Sequence, residues 1–258
     1  MTPVSDNMKN IVLHCTCPDC GKKFDLELTM PAEFASIFLE YGERMLCATC
    51  GELKEVERTR RAIEQAELEL MEDARIPFEF QRWDVTKGNT AITDWVTENK
   101  QGNLLLIGEV NTGKTRSMAK VLIDELNAGK SVLFYDFTEF AEDYAEAMQE
   151  SIHRGKKFLQ SVVNGGYDIV LLDDLDKHRI NETAGNCLYK IFNNLYSGDI
   201  TSKMWFTMNH RGKEFLNHFD NRDYGAAVVS RIARMMEDHR FHVKHIEEII
   251  TERKQKEQ

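Results

Sequence analysis

The chain has 258 residues and a formal net charge of −10, with 33 Lys and Arg against 43 Asp and Glu. An acidic balance of that size argues against bulk electrostatic coating of duplex DNA and leaves room for a local basic groove or a protein partner. Apolar content of 42% supplies a core. The absence of any apolar run near the roughly 20 residues of a membrane span, or of a signal-peptide h-region, predicts a cytoplasmic protein with no membrane partner.

Five of the six cysteines lie in the first 50 residues, as Cys15, Cys17-Pro18-Asp19-Cys20-Gly21 and Cys47-Ala48-Thr49-Cys50-Gly51. Paired C-x-x-C-G knuckles have the grammar of a zinc ribbon. Each turns two thiolates toward one point, and the following glycine relieves the tight turn. Cys17, Cys20, Cys47 and Cys50 are the candidate ligands of a closed, structural Zn²⁺ site. Either Cys15 or His14 could replace one of them. A small module of residues 1–51 buries little core, so metal binding would supply folding free energy. Residues 31–39 between the knuckles read as a short helix packing its aromatic residues on the zinc core.

Residues 52–75 lack proline and internal glycine and are rich in helix formers. Val56, Ile63, Ala66 and Leu70 make a thin apolar stripe, and Glu57 and Arg61 an i,i+4 pair. This predicts a linker helix, either solvated or docking a partner, that ends at Ile76-Pro77. A third domain, 76–258, then begins.

From Asn103 apolar strands alternate with helical patterns, which predicts a parallel sheet covered on both faces. Strand 104–107 runs into Gly108-Glu109-Val110-Asn111-Thr112-Gly113-Lys114-Thr115, a G-x-x-x-x-G-K-T loop, and helix 115–127 follows at once. In that context the loop is a nucleotide phosphate site. Its backbone N–H groups turn inward, Lys114 reaches the terminal phosphates, Thr115 is a ligand for Mg²⁺, and the helix start favours the anion. Arg116 follows directly and is counted with Gly108 to Thr115 among the ATP-binding residues. Strand 131–136 comes next, then a helix capped by Thr138 with Phe140, Tyr144 and Met148 as core.

Residues 168–174 form a buried strand ending in Asp173 and Asp174, at the end where open α/β sheets place ligands. Asp173 is assigned to Mg²⁺ through its water shell and Asp174 to polarising the attacking water. Helix 188–196 and strand 203–208 follow, and Asn209 at the strand tip could reach the γ-phosphate or that water, or serve as a turn residue. Arg231 and Arg234 share one face of a later helix.

These pieces, in this order, resemble the AAA+ ATPases of the DnaC/DnaI helicase-loader and IstB family over roughly residues 76–241. Arg75 to Phe80 looks like the family's entry segment, Gly108 to Thr115 matches Walker A, and Ile169 to Asp174 matches Walker B. Thr207-Met208-Asn209 looks like sensor 1, and Ser230-Arg231-Ile232 like the stretch carrying the arginine finger. The resemblance implies a three-layer α/β sandwich that hydrolyses ATP with Mg²⁺. Lys114, Asp173, Asp174 and Asn209 would be its catalytic set, and Arg231 would be presented to a neighbouring subunit. Arg234 would be the weaker finger, or a second phosphate sensor. It also implies self-association through the ATP sites, with a DnaB-type replicative helicase and single-stranded DNA as partners. An IstB-like transposition helper is the alternative. The cysteine module points to the DnaI-like side, since IstB-type helpers typically lack one. Glu109-Val110-Asn111 and Arg116 depart from the family pattern, and Glu109 adds negative charge near the phosphates. Residues 153–157, with His153, Arg154, Lys156 and Lys157, are the best local candidate for a DNA-contacting basic patch.

Overall fold

A computed structural model of the chain describes residues 8–31, 48–81, 89–238 and 241–256. They divide into two compact units, 1–68 and 69–258. No helix among the described residues is long and apolar enough to cross a membrane.

In the first unit, strands β1 (Met8–Thr16) and β2 (Lys23–Pro31) form an antiparallel hairpin. Alternation explains it. Leu13, Cys15 and Cys17 are buried, while Val12, His14 and Thr16 between them face outward. Cys15 pairs with Phe24 and Leu13 with Leu26 in the register. Gly21 takes φ +69° to close the turn, and its N–H donates to Cys17 O at 2.8 Å. Of the expected helix 31–39, Pro31 instead ends β2, and the remainder, like Cys47, lies outside the described residues.

Helix α1 (Ala48–Asp73) starts four residues before the expected linker and takes Cys50 into its first turn. Lys54 pairs with Asp19 at 2.8 Å, and Arg61 with Glu57 at 3.0 Å. Val56, Ala66 and Leu70 of the predicted stripe are exposed. The helix stops at Asp73, ahead of the proline signal, because Arg75 adopts φ +54°.

The second unit contains short helix α2 (Phe78–Gln81), α3 (Thr90–Asn99), β3 (Asn103–Ile107), α4 (Lys114–Asn127), β4 (Val132–Asp136), α5 (Phe137–Glu150) and α6 (Ile152–Val163). Then come β5 (Ile169–Asp173), α7 (Glu182–Ser197), β6 (Lys203–Met208), α8 (Gly212–Leu216), α9 (Arg222–Glu237), β7 (Phe241–His245) and α10 (Ile246–Lys256). The sheet is wholly parallel, in the order β4-β5-β6-β3-β7. Strand alternation sorts the core in two. Leu105, Ile107, Leu133, Val170, Leu172 and Phe206 pack with residues of α5, α6, α7 and α9. Leu104, Leu106, Phe134, Ile169, Leu171 and Trp205 pack with those of α3, α4 and α10. Burial on both faces is why these strands read as continuous apolar runs. The result is the expected α/β three-layer sandwich around a parallel sheet.

Two local differences from the sequence reading have plain causes. Asp136, not Thr138, caps α5: its carboxylate accepts the Thr138 N–H at 2.8 Å, two residues earlier than the hydroxyl suggested. Strand β7 shows little apolar signal because only Phe241 in it is buried.

Candidate nucleotide site

The C-terminal ends of β3, β4, β5 and β6 converge on a cleft of about 1020 Å³. The loop after β3 is held by special backbone. Asn111 (φ +64°) and Gly113 (φ +93°) are left-handed, and a Cβ on Gly108 would stand 2.8 Å from Ile246 Cγ1. Val110, Asn111, Gly113, Lys114, Thr115 and Arg116 line the cleft. The Thr112 hydroxyl donates to Glu109 O at 2.8 Å, bracing the loop, while the Glu109 side chain is exposed.

Lys114 is buried in the first turn of α4. Its ammonium donates to Gly108 O and Glu109 O at 2.8 Å each and to Asn209 Oδ1 at 3.0 Å. Burial lowers its pKa, opposed by the nearby Asp174, Asp173 and Asp176. A cation aimed by its own loop, at a helix N-terminus, is a receptor for anionic oxygens.

Asp173 ends β5 and is almost wholly buried. Thr115 Oγ1 donates to its Oδ1 at 2.9 Å and Thr207 Oγ1 to the same oxygen at 2.6 Å. Burial pushes this carboxyl up to about 6, more than the two hydroxyls pull it down. A hydroxyl and a carboxylate so joined, beside the phosphate loop, make a donor set suited to a hard divalent cation. Asp174 follows at φ +55°, with its N–H donating to Thr207 Oγ1 at 2.8 Å. Burial raises its pKa, with Lys114 and Lys177 acting against the rise. Asp173, Asp174, Lys114, Thr115 and Asn209 thus share one cleft.

Several residues the sequence did not single out belong to the same site. Asp176 is buried, and its Oδ1 accepts Asn209 N at 2.8 Å and Asn209 Nδ2 at 3.1 Å, so it aims the amide whose oxygen meets Lys114. Its position three residues past Asp173 was the only signal, and it was open to reading as an acidic loop. Asp136 sits in register with Asp173 at the tip of β4 and pairs with Lys177 at 2.9 Å. Burial pushes Asp136 up, but hydrogen bonds from Lys177 and Thr138 outweigh it and hold the carboxyl below its usual range. Arg75, Pro77, Glu79 and Phe80 line the far side. The Arg75 guanidinium lies 4.2 Å over the Tyr135 ring and pairs with Asp143, which accepts the Tyr135 hydroxyl at 2.6 Å.

Arg231 is placed elsewhere. On α9 it reaches Asn193 Oδ1 at 3.3 Å and lies 5.1 Å over the Tyr196 ring, and Arg234 is exposed one turn on. His153, Arg154, Lys156 and Lys157 are exposed on α6, where Arg154 pairs with Glu150.

In the first unit, Cys17, Cys20 and Cys50 each bring a sulfur within 4.8 Å of the others'. Three thiols so gathered could hold a Zn²⁺ ion. Cys15, although buried, directs its thiol to Leu13 O at 3.7 Å, and His14 pairs with Asp25 at 2.7 Å. Neither falls in the sulfur cluster.

A family model described as "IstB-like ATP binding protein" matches residues 50–258. No curated protein matches the chain. Among solved structures it is similar to DnaI at 18% identity, covering 66% of this chain and 94% of that one, with a TM-score of 0.49. It is similar to the DnaC helicase loader at 18%, covering 60% and 86%, with 0.44. AMPPCP-bound DnaA from Aquifex aeolicus matches at 20%, covering 59% and 48%, with 0.43, so the chain spans about half of that structure's length.

Proposed function

This chain belongs to the IstB-like ATP-binding protein family, and we propose that it is a cytoplasmic AAA+ ATPase that loads a hexameric replicative helicase onto single-stranded DNA. The observation that carries the ATPase part is the joining of Lys114 to Asn209 and of Thr115 to Asp173 across one cleft. ATP would be held by the Gly108–Thr115 loop and Arg116, and Mg²⁺ by Thr115 and Asp173. The cation supplies neutralisation of charge on the phosphate oxygens.

The chain's own residues supply the rest. Lys114 stabilises charge at the terminal phosphate, and Asp174 orients and polarises the attacking water. Asn209, steadied by Asp176, accepts from Lys114 and so holds its ammonium in place. Arg231 lies outside its own cleft, which suits presentation to a neighbour's site and so a self-associated working form. Domains 1–51, 52–75 and 76–258 divide the labour: the cysteine module and α1 hold the helicase, and the ATPase body binds ATP and DNA. The sulfur cluster supports a loader over the transposition helper, since IstB-type helpers typically lack a cysteine-knuckle module.

The test is capture of the DnaB-type helicase from the same genome by the full chain, compared with a Cys50→Ser variant. Retention by the full chain and loss by the variant is expected. Failure of both to retain helicase, together with ATP-dependent filaments on duplex DNA, would transfer the assignment to the transposition helper.

A further inference from the structure

At the mouth of the cleft, two imidazoles stand over the buried carboxylate of Asp176. His210 Nδ1 lies 2.8 Å from Asp176 Oδ2, and the His210 and His218 ring centroids are 4.6 Å apart. One donor atom from each of the three residues falls within 4.8 Å of the others'. The two carboxylate oxygens divide their work: Oδ1 takes Asn209, and Oδ2 faces His210. Main-chain bonds anchor both histidines. His210 N donates to Asp176 Oδ2 at 2.6 Å, His218 O accepts Ile180 N at 2.8 Å, and His218 N donates to Phe215 O at 3.0 Å. All three residues line the cleft, so a fourth direction opens onto it.

We propose that Asp176, His210 and His218 form a binding site for a borderline divalent transition-metal ion, Zn²⁺ or Ni²⁺, with one coordination position open to the cleft. Two imidazoles and one carboxylate select such ions over Mg²⁺ or Ca²⁺, which prefer all-oxygen sets. Ligand–metal distances of about 2.0–2.2 Å require donors roughly 3.3 Å apart. The half-exposed rings therefore close by about an ångström, while the 2.8 Å contact opens slightly. The ion takes the place of the hydrogen between His210 Nδ1 and Asp176 Oδ2, and that ring proton moves to His210 Nε2. No net proton is lost. The site is separate from the cysteine cluster and needs no nucleotide.

The experiment is equilibrium dialysis of the full chain against micromolar Zn²⁺ with metal per chain counted by mass spectrometry, for wild type, His218→Phe and His218→Gln. Phe preserves ring stacking and Gln preserves polarity, so one of the two reports even if the other misfolds. Cysteine-held zinc is common to all three and cancels. Wild type is expected to hold one ion more than either variant, with affinity for that ion reduced at least about 10–100-fold, the loss that even an outer-shell partner's removal causes. Equal zinc content in wild type and both variants overturns the site. ATP titration of the same preparation tests the nucleotide reading separately, since its failure leaves the metal count unchanged.

Discussion

Thr207 donates its hydroxyl to Asp173 Oδ1 at 2.6 Å while accepting the Asp174 N–H at 2.8 Å, so one side chain on β6 fixes both carboxylates at the end of β5. Thr207 is fully buried. Thr207→Val keeps the shape and leaves an unpaired N–H beside a carboxylate. A loss of about 1–3 kcal/mol in urea unfolding is expected, because a buried donor is left unsatisfied. Unfolding at the wild-type midpoint would refute the bracing role.

Lys114 and Asp174 separate binding from turnover. Lys114→Ala should abolish saturable ATP binding in a fluorescence titration. Asp174→Asn should bind ATP nearly as wild type does yet hydrolyse it about 10²–10⁴-fold more slowly, the range ascribed to a positioned general base. Equal turnover by Asp174→Asn and wild type would mean that another group activates the water.

Arg231→Ala should keep nucleotide affinity and lose about 10³-fold or more in hydrolysis, as an arginine supplied in trans would. The distinguishing measurement is concentration dependence. Wild-type turnover per subunit should rise with protein concentration, and the variant's should stay flat. A flat wild-type profile at full activity would remove the neighbour from the mechanism.

The Asp136–Lys177 pair carries a pH signature. Asp136 is held below the ordinary carboxylate pKa and Lys177 above the ordinary ammonium value, the latter chiefly by its hydrogen bond to Asp136. The depressed carboxyl contributes stability that is present above the unfolded pKa and fades as pH falls through the folded one. The raised ammonium contributes stability present below its unfolded pKa and lost as pH rises through the folded one. Both side chains are partly exposed, so Lys177→Met should cost only about 0.5–1 kcal/mol at pH 7. The difference between variant and wild type in urea midpoints should shrink from pH 5 toward pH 3. A difference that persists unchanged at the lowest pH would show packing rather than charge at work.

Cys50→Ser should lower bound zinc by about one ion per chain and loosen the hairpin, read as faster amide exchange in β1 and β2. Structural zinc sites contribute folding free energy directly. Undiminished zinc in the variant would exclude Cys50 as a ligand.

What was legible in the sequence follows a physical divide. Strand β6 was read to the residue, and the loop from Gly108 to Thr115 was placed correctly, because both are local: an apolar run, then residues that bend the chain. Asp173 and Asp174 announced themselves by standing at the end of such a run. Asp176 did not, because its role depends on Asn209, which meets it only after β5 and β6 pair. Lys177 and Asp136 are hidden for the same reason. Helix α6 went unread although Ser151 caps it by accepting Arg154 N at 3.1 Å, since Gly155 inside it looks like a breaker. The fold shows why glycine is there: a Cβ would run into the Met148 side chain where α5 and α6 cross.

The strict alternation that sends Leu104 and Leu106 to one core and Leu105 and Ile107 to the other makes each strand a ruler as well as a wall. Deleting a single residue from the middle of β3 or β6 would exchange the faces of everything on one side of the cut. It would also draw the phosphate loop or Asn209 back by about 3.3 Å, one strand step. Chemical substitutions in these strands are limited by volume, but changes of length are limited by the site itself. Length variation in this domain should therefore concentrate in segments that do not set the reach of a strand tip.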